Sequence, residues 1–138
     1  MVDSEPFALL ETYTGKSSVF SPMALSHINN PRNVGPLEGA THYGVAGVPG
    51  DGPFVQMWFI VNSGQIERGT YKTYGCPTSI ASASMIAELV AGKSVETALS
   101  LTEADIRALL AFVPEGKEDC PPRAVRALQN AFEEKTDD

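Results

Sequence analysis

The side chains able to do chemistry are few and lie far apart in the chain. Cys76 and Cys120 are the only cysteines. Cys76 stands in Lys72-Thr73-Tyr74-Gly75-Cys76-Pro77-Thr78-Ser79, which reads as the end of a strand turning at Gly75 into a helix. A thiol there faces the exposed amides of a helix start. They favour the thiolate, the form that binds soft metals and attacks sulfur. Ala81, Ser82, Ala83 and Ser84 follow, small enough for another backbone to come close. Cys120 lies next to Asp119 in a loop between Pro114 and Pro122, and Asp51 lies in Pro49-Gly50-Asp51-Gly52-Pro53. If the helices pack on one face of the sheet, these three loops converge. Asp51, Cys76, Asp119 and Cys120 then offer two thiolates and two carboxylates, a four-ligand set for a metal ion. Neither cysteine has a Cys-x-x-Cys partner, so the spacing is not that of a zinc finger or ribbon. The same residues have ordinary readings: a buried cysteine at a strand-to-helix turn, a turn aspartate and a solvated acid.

Other chemistries find little support. His27 closes a short helix, where a positive imidazole suits the helix end, and His42 lies in a loop; both read as structural or surface residues. There is no Gly-x-Gly-x-x-Gly after a strand, and Gly15-Lys16-Ser17 lacks the upstream glycine of a phosphate-binding loop. No Ser/His/Asp signature and no base, nucleophile and stabiliser triplet stands out, so the chain reads as something other than an enzyme.

The elements that must position the cysteines can be read in order. Residues 1–19 read as a flexible extension. Ser21 caps a short helix that Pro22 opens and Pro31 ends. A strand is expected over 43–48, then the turn at 49–53, then the strongest strand over 54–61. There Val55, Met57, Phe59 and Val61 alternate with Gln56, Trp58 and Ile60. Asn62-Ser63-Gly64-Gln65 turns the chain into an antiparallel strand over 66–73. Helices follow over 79–91, 94–99 and from Thr102 to Pro114, and a last one opens at Pro122 with Val125, Leu128 and Phe132 on one face. Residues 135–138 should fray. The expected fold is α+β: a three-stranded antiparallel sheet with helices packed mainly on one face, the site at one end.

With 138 residues the chain is long enough for one domain with a core and too short for two. Its net charge of −7 argues against nucleic acid or an anionic membrane as partner. No apolar run could span a bilayer, and no basic start precedes an apolar stretch as in a secretory signal. Two cysteines are too few for a disulfide framework, so a cytoplasmic location is expected.

Three segments resemble a known family, the iron–sulfur cluster scaffolds of the IscU and NifU N-terminal type, over residues 20–134. His27-Ile28-Asn29-Asn30-Pro31-Arg32-Asn33-Val34-Gly35 is similar to the family's His-x-x-Asn-Pro-Arg-Asn-Val-Gly signature. Lys72 to Cys76, with the small residues after it, resembles the second-cysteine motif. Val113-Pro114-Glu115-Gly116-Lys117-Glu118-Asp119-Cys120 occupies the place of Leu-Pro-Pro-Val-Lys-x-His-Cys. Two departures stand out. Asp51 stands where the family's first cysteine lies, in a turn that has Pro53 at the place of the family's aspartate. Asp119 stands where the family has a histidine. The resemblance implies a scaffold or carrier of a transient cluster, in its two-iron form, held by Asp51, Cys76, Asp119 and Cys120, with Cys120 also the persulfide acceptor. It implies a cysteine desulfurase as partner and an Hsp70-type chaperone at the segment carrying Pro114 and Lys117. The alternative it leaves open is a zinc-binding or metal-free regulatory adaptor on the same fold, because a carboxylate is a harder ligand than the thiolate it replaces.

Overall fold

In β2 (Phe54–Asn62), Val55, Met57 and Phe59 are fully buried, while Gln56, Trp58 and Ile60 between them are only partly covered. This alternation gives the sheet one inner face, against which the helices pack. The computed structural model describes residues 19–133; the expected extension over 1–18 and tail from 134 lie outside the described residues. β1 (His42–Gly47) and β3 (Gln65–Tyr74) flank β2, both antiparallel, in the order β1-β2-β3. Asn62 pairs with Gln65 across a two-residue turn, and Ser63 and Gly64 both take positive φ, 56° and 80°. That conformation matches the twist of a hairpin, and Gly64 adopts it without strain. The three strands are the ones expected, each longer by a residue or two at an end.

The five helices are α1 (Pro22–Asn29), α2 (Pro77–Val90), α3 (Val95–Ala98), α4 (Glu103–Leu110) and α5 (Cys120–Ala131). α1 starts as expected, with the Ser21 hydroxyl accepting from the Ala24 amide and Pro22 in the first turn. The Ser21 hydroxyl also donates to the Leu109 carbonyl, tying α1 to the end of α4. α4 opens with a reciprocal cap between Thr102 and Asp105. α5 differs from the expectation. It begins at Cys120 rather than Pro122, with Pro121 and Pro122 both in its first turn. Amides there have no partner within the helix, so two prolines cost it little.

α2 lies across β3 and α5 lies across β1 and β2, and the two helices also touch each other. α2 is enclosed: Ala81, Ser82, Ala83, Ser84, Met85, Ile86 and Ala87 are all buried. Its run of small residues therefore works as expected, admitting neighbours on several sides. α5 comes closest at Gly44 of β1. A Cβ built there would meet the Ala127 carbonyl oxygen and the Ala131 nitrogen at 2.3 Å. Val55, Met57, Phe59, Tyr71, Ile86, Leu109 and Leu128 lie in the core so formed.

Candidate functional site

Cys76 is the N-cap residue of α2 and Cys120 the first residue of α5. Two helix starts thus bring together thiols 44 residues apart, with the sulfurs at 3.5 Å. The turn at Cys76 is held from the sheet. The Thr73 hydroxyl donates to the Phe54 carbonyl at 2.7 Å and meets the Ser79 hydroxyl at 2.9 Å. Since Thr73 spends its proton on Phe54, Ser79 is the donor of that second bond. The Cys76 carbonyl accepts the amides of Ser79 and Ile80. On the other side, the Cys120 amide donates to the Lys117 carbonyl at 3.1 Å, closing the turn that feeds α5. Cys76 is partly exposed, while Cys120 is 7% exposed; neither is in a disulfide.

The two thiols differ electrostatically. Burial pushes the Cys76 thiol up, but the Ser79 amide, the Cys120 thiol and Thr78 together outweigh it, and its pKa falls below the ordinary value. Its sulfur makes no well-formed capping bond. The helix-start amides act on it as nearby dipoles rather than as a closed cap. Cys120 is pushed up to about 11, first by burial and then by its neighbour Cys76, with Arg123 offsetting a part. The pair is therefore one partly exposed thiol inclined to ionise beside one buried thiol that resists it.

The two aspartates do not close around the sulfurs. Gly47 pairs with Phe54 and Phe54 with Tyr74, so the loop 48–53 leaves the sheet at the end where Cys76 lies. Asp51 is exposed in that loop, its amide bonded to the Val48 carbonyl at 2.9 Å. Asp119 is exposed at the N-cap of α5, and its side chain makes no capping bond. Among the described residues no group of three or more His, Cys, Asp or Glu side chains is arranged to hold a metal ion. The expectation that four ligands meet is thus corrected. The sulfurs meet, and the carboxylates stand in exposed loops, where water keeps them. Pro114 and Lys117 lie in the turn before α5, with the Lys117 amide bonded to the Pro114 carbonyl at 3.0 Å.

One polar cluster escaped the sequence. His27, 3% exposed, binds Ser84 through Nδ1 at 2.7 Å and Glu88 through Nε2 at 3.0 Å. The Ser84 hydroxyl also accepts the Arg32 amide at 3.2 Å. The arrangement is consistent with a neutral imidazole that donates from Nε2 to Glu88 and accepts from Ser84 at Nδ1. Burial lowers the His27 pKa first and Arg32 lowers it further, against the pull of Glu88. The expected positive imidazole at a helix end is corrected accordingly: this ring is buried and disfavours charge. Although Ser84, His27 and Glu88 stand in line like a hydrolytic triad, Ser84 is fully buried and reaches no substrate. The cluster anchors the loop after α1, whose Asn33 carbonyl and Gly35 amide bond to Tyr71 of β3. Only the pairing of a buried-face histidine with serines in α2 signals it, and those residues are 57 apart.

Comparison with known proteins bears on this arrangement. The family profile described as NifU-like N terminal domain matches residues 19–136. The chain is 34% identical over 114 residues to an iron–sulfur cluster assembly scaffold protein, IscU 1, of Archaeoglobus fulgidus, covering 83% of this chain and 74% of that protein. It is 35% identical over 117 residues to the scaffold protein IscU of Escherichia coli K12, covering 82% of this chain and 91% of the relative. Among solved structures, a SUF-system scaffold described as putative, from Fervidobacterium islandicum, superposes with a TM-score of 0.67 at 17% identity, covering 83% of this chain and 96% of the other. That likeness carries the fold alone.

Proposed function

We infer the function from one premise: this chain belongs to the NifU-like N-terminal domain family. Its role is that of a scaffold in iron–sulfur cluster assembly. The observation that carries this reading is the pair of free sulfurs, 3.5 Å apart at two helix starts. Thiolates are the protein ligands of iron–sulfur clusters, and two of them at one spot can hold one edge of a two-iron cluster. The cluster is cargo, to be built and passed on. Asp51 and Asp119 supply the remaining ligands from exposed loops when iron arrives. Carboxylate oxygen suits iron less well than thiolate when sulfide is also bound, so the cargo is held loosely. The sulfur comes from a cysteine desulfurase, and Val48 and Tyr74, both exposed at the thiol end of the sheet, suit a protein partner there. The turn of Pro114 and Lys117 is the docking segment for an Hsp70-type chaperone. The chain carries no chemistry of turnover, and its free thiols fit a reducing cytoplasm. Among the described residues no helix is long and apolar enough to cross a membrane.

Anaerobic reconstitution with ferrous iron and sulfide, followed by absorption and Mössbauer spectra, tests the reading. A sulfide-to-iron charge-transfer band with tetrahedral iron supports it, and protein that leaves a desalting column free of iron refutes it. A second reading draws on the ungathered carboxylates: a zinc-binding or metal-free adaptor. Stoichiometric zinc that survives chelation in freshly purified protein, with no iron taken up, would favour it.

A further inference from the structure

The two thiols are unlike in a way that a simple pair of ligands does not require. Cys76 is partly exposed in the turn after β3, and Cys120 is 7% exposed beneath it, the sulfurs in contact at 3.5 Å. An incoming sulfur donor can reach Cys76 and cannot approach Cys120 without passing it. The acceptor role that the family resemblance gave to Cys120 therefore fits Cys76 better. A buried thiol touching an exposed one is the arrangement of a resolving cysteine.

We propose that Cys76 accepts a sulfane sulfur and that Cys120 then expels it as hydrosulfide, making the pair a built-in two-electron reductant for sulfur. This rests on the sulfur-accepting part of the scaffold reading. In the first step the Cys76 thiolate attacks the outer sulfur of a donor persulfide. That sulfur's bond to the donor breaks, and the donor thiolate leaves with the electron pair. In the second step Cys120 gives up its proton and its sulfur attacks Sγ of the Cys76 persulfide. The Sγ–Sγ bond forms, and the outer sulfur leaves with its electron pair and takes up a proton as hydrosulfide. The sulfane sulfur has gained two electrons and the dithiol has lost two, becoming a disulfide. A small dithiol reductant restores the pair by exchange and carries the disulfide away.

The geometry favours the second step. Bond formation brings the sulfurs from 3.5 Å to about 2 Å, a movement of about 1.5 Å. Cys76 sits in a turn, outside the regular hydrogen-bond ladder of α2, so this movement breaks no helix. Hydrosulfide, formed where iron would be held, is the form of sulfur that a cluster requires.

The test uses the full reduced chain, freed of reductant under anaerobic conditions, with one equivalent of glutathione persulfide. Released sulfide is assayed over time and the intact mass is recorded. The wild-type chain should release about one sulfide per chain and lose the mass of two hydrogen atoms. Cys120→Ser should gain the mass of one sulfur atom on Cys76 and release sulfide ~100-fold more slowly, since a held thiol acts at high effective concentration. Cys120→Ala, checked by circular dichroism, guards against a folding defect and should behave alike. If Cys120→Ser releases sulfide as fast as the wild type, or the wild-type persulfide persists with no disulfide, the proposal is overturned while the sulfur-accepting reading stands. If neither the wild type nor Cys120→Ser takes up sulfur, both fall together.

Discussion

Replacing Gly44 by alanine tests whether the contact of α5 with β1 fixes the position of Cys120. The added methyl would lie 2.3 Å from the Ala127 oxygen and the Ala131 nitrogen, and 2.7 Å from the Ala131 Cα. All three are backbone atoms, so no side chain can swing aside. Ordinary contact needs α5 to retreat by about 1 Å along its C-terminal half, which thins its packing on the sheet. Overpacking of this kind costs about 3 kcal/mol, at the upper end of the usual range. Urea unfolding followed by circular dichroism should show the midpoint fall with the slope unchanged. Cys120 lies seven residues before Ala127, roughly 10 Å along the helix, and so moves less than the clashing turn. The folded fraction of Gly44→Ala should therefore still close a Cys76–Cys120 disulfide under mild oxidation. A loss of less than about 0.5 kcal/mol would refute the argument, because it would mean that α5 does not press on β1 there. A normal loss of stability without any disulfide would show that the thiol geometry depends on the whole length of α5.

Three further outcomes follow from the site. Iodoacetamide at pH 8 should modify Cys76 well before Cys120, whose pKa lies near 11, and Cys76→Ser should speed Cys120 because the neighbour that raises its pKa is gone; peptide mass spectrometry reads both rates. His27 has a pKa below its ordinary 6.5 in the folded chain, so its contribution to stability is complete above that value and is lost as pH falls toward the folded pKa. Urea midpoints should thus drop between about pH 6.5 and 5, and His27→Gln should flatten that slope while costing about 1–2 kcal/mol at pH 7. Asp51→Cys puts a thiolate on the loop at the Cys76 end of the sheet and should slow loss of iron to a chelator several-fold; an unchanged rate would show that this loop never reaches the metal.

Much of the architecture could be read from local chemistry. The alternation of Val55, Met57 and Phe59, the Ser63-Gly64 turn and the Ser21-Pro22 helix start each act over a few residues, and each appears where the sequence places it. Opening α5 at Pro122 puts Cys120 in a loop instead of at a helix start. The meeting of the two sulfurs was anticipated, whereas the closure of Asp51 and Asp119 around them was not found. Carboxylates in exposed loops gain more from water than from an empty ring of like charge. The His27–Ser84–Glu88 cluster was hidden for another reason. A buried histidine and a helix-end histidine have the same sequence pattern until α1 is laid on α2.

The central claim is that Cys76 and Cys120 together hold what the scaffold carries. The most direct measurement is the iron and acid-labile sulfide retained by the doubly substituted chain, Cys76→Ser with Cys120→Ser, beside the wild type after the same anaerobic loading and desalting. The wild type should keep both elements in near-equal amounts, and the double variant, still folded by circular dichroism, should keep neither. Equal retention by the two chains would place the cargo elsewhere and contradict the account.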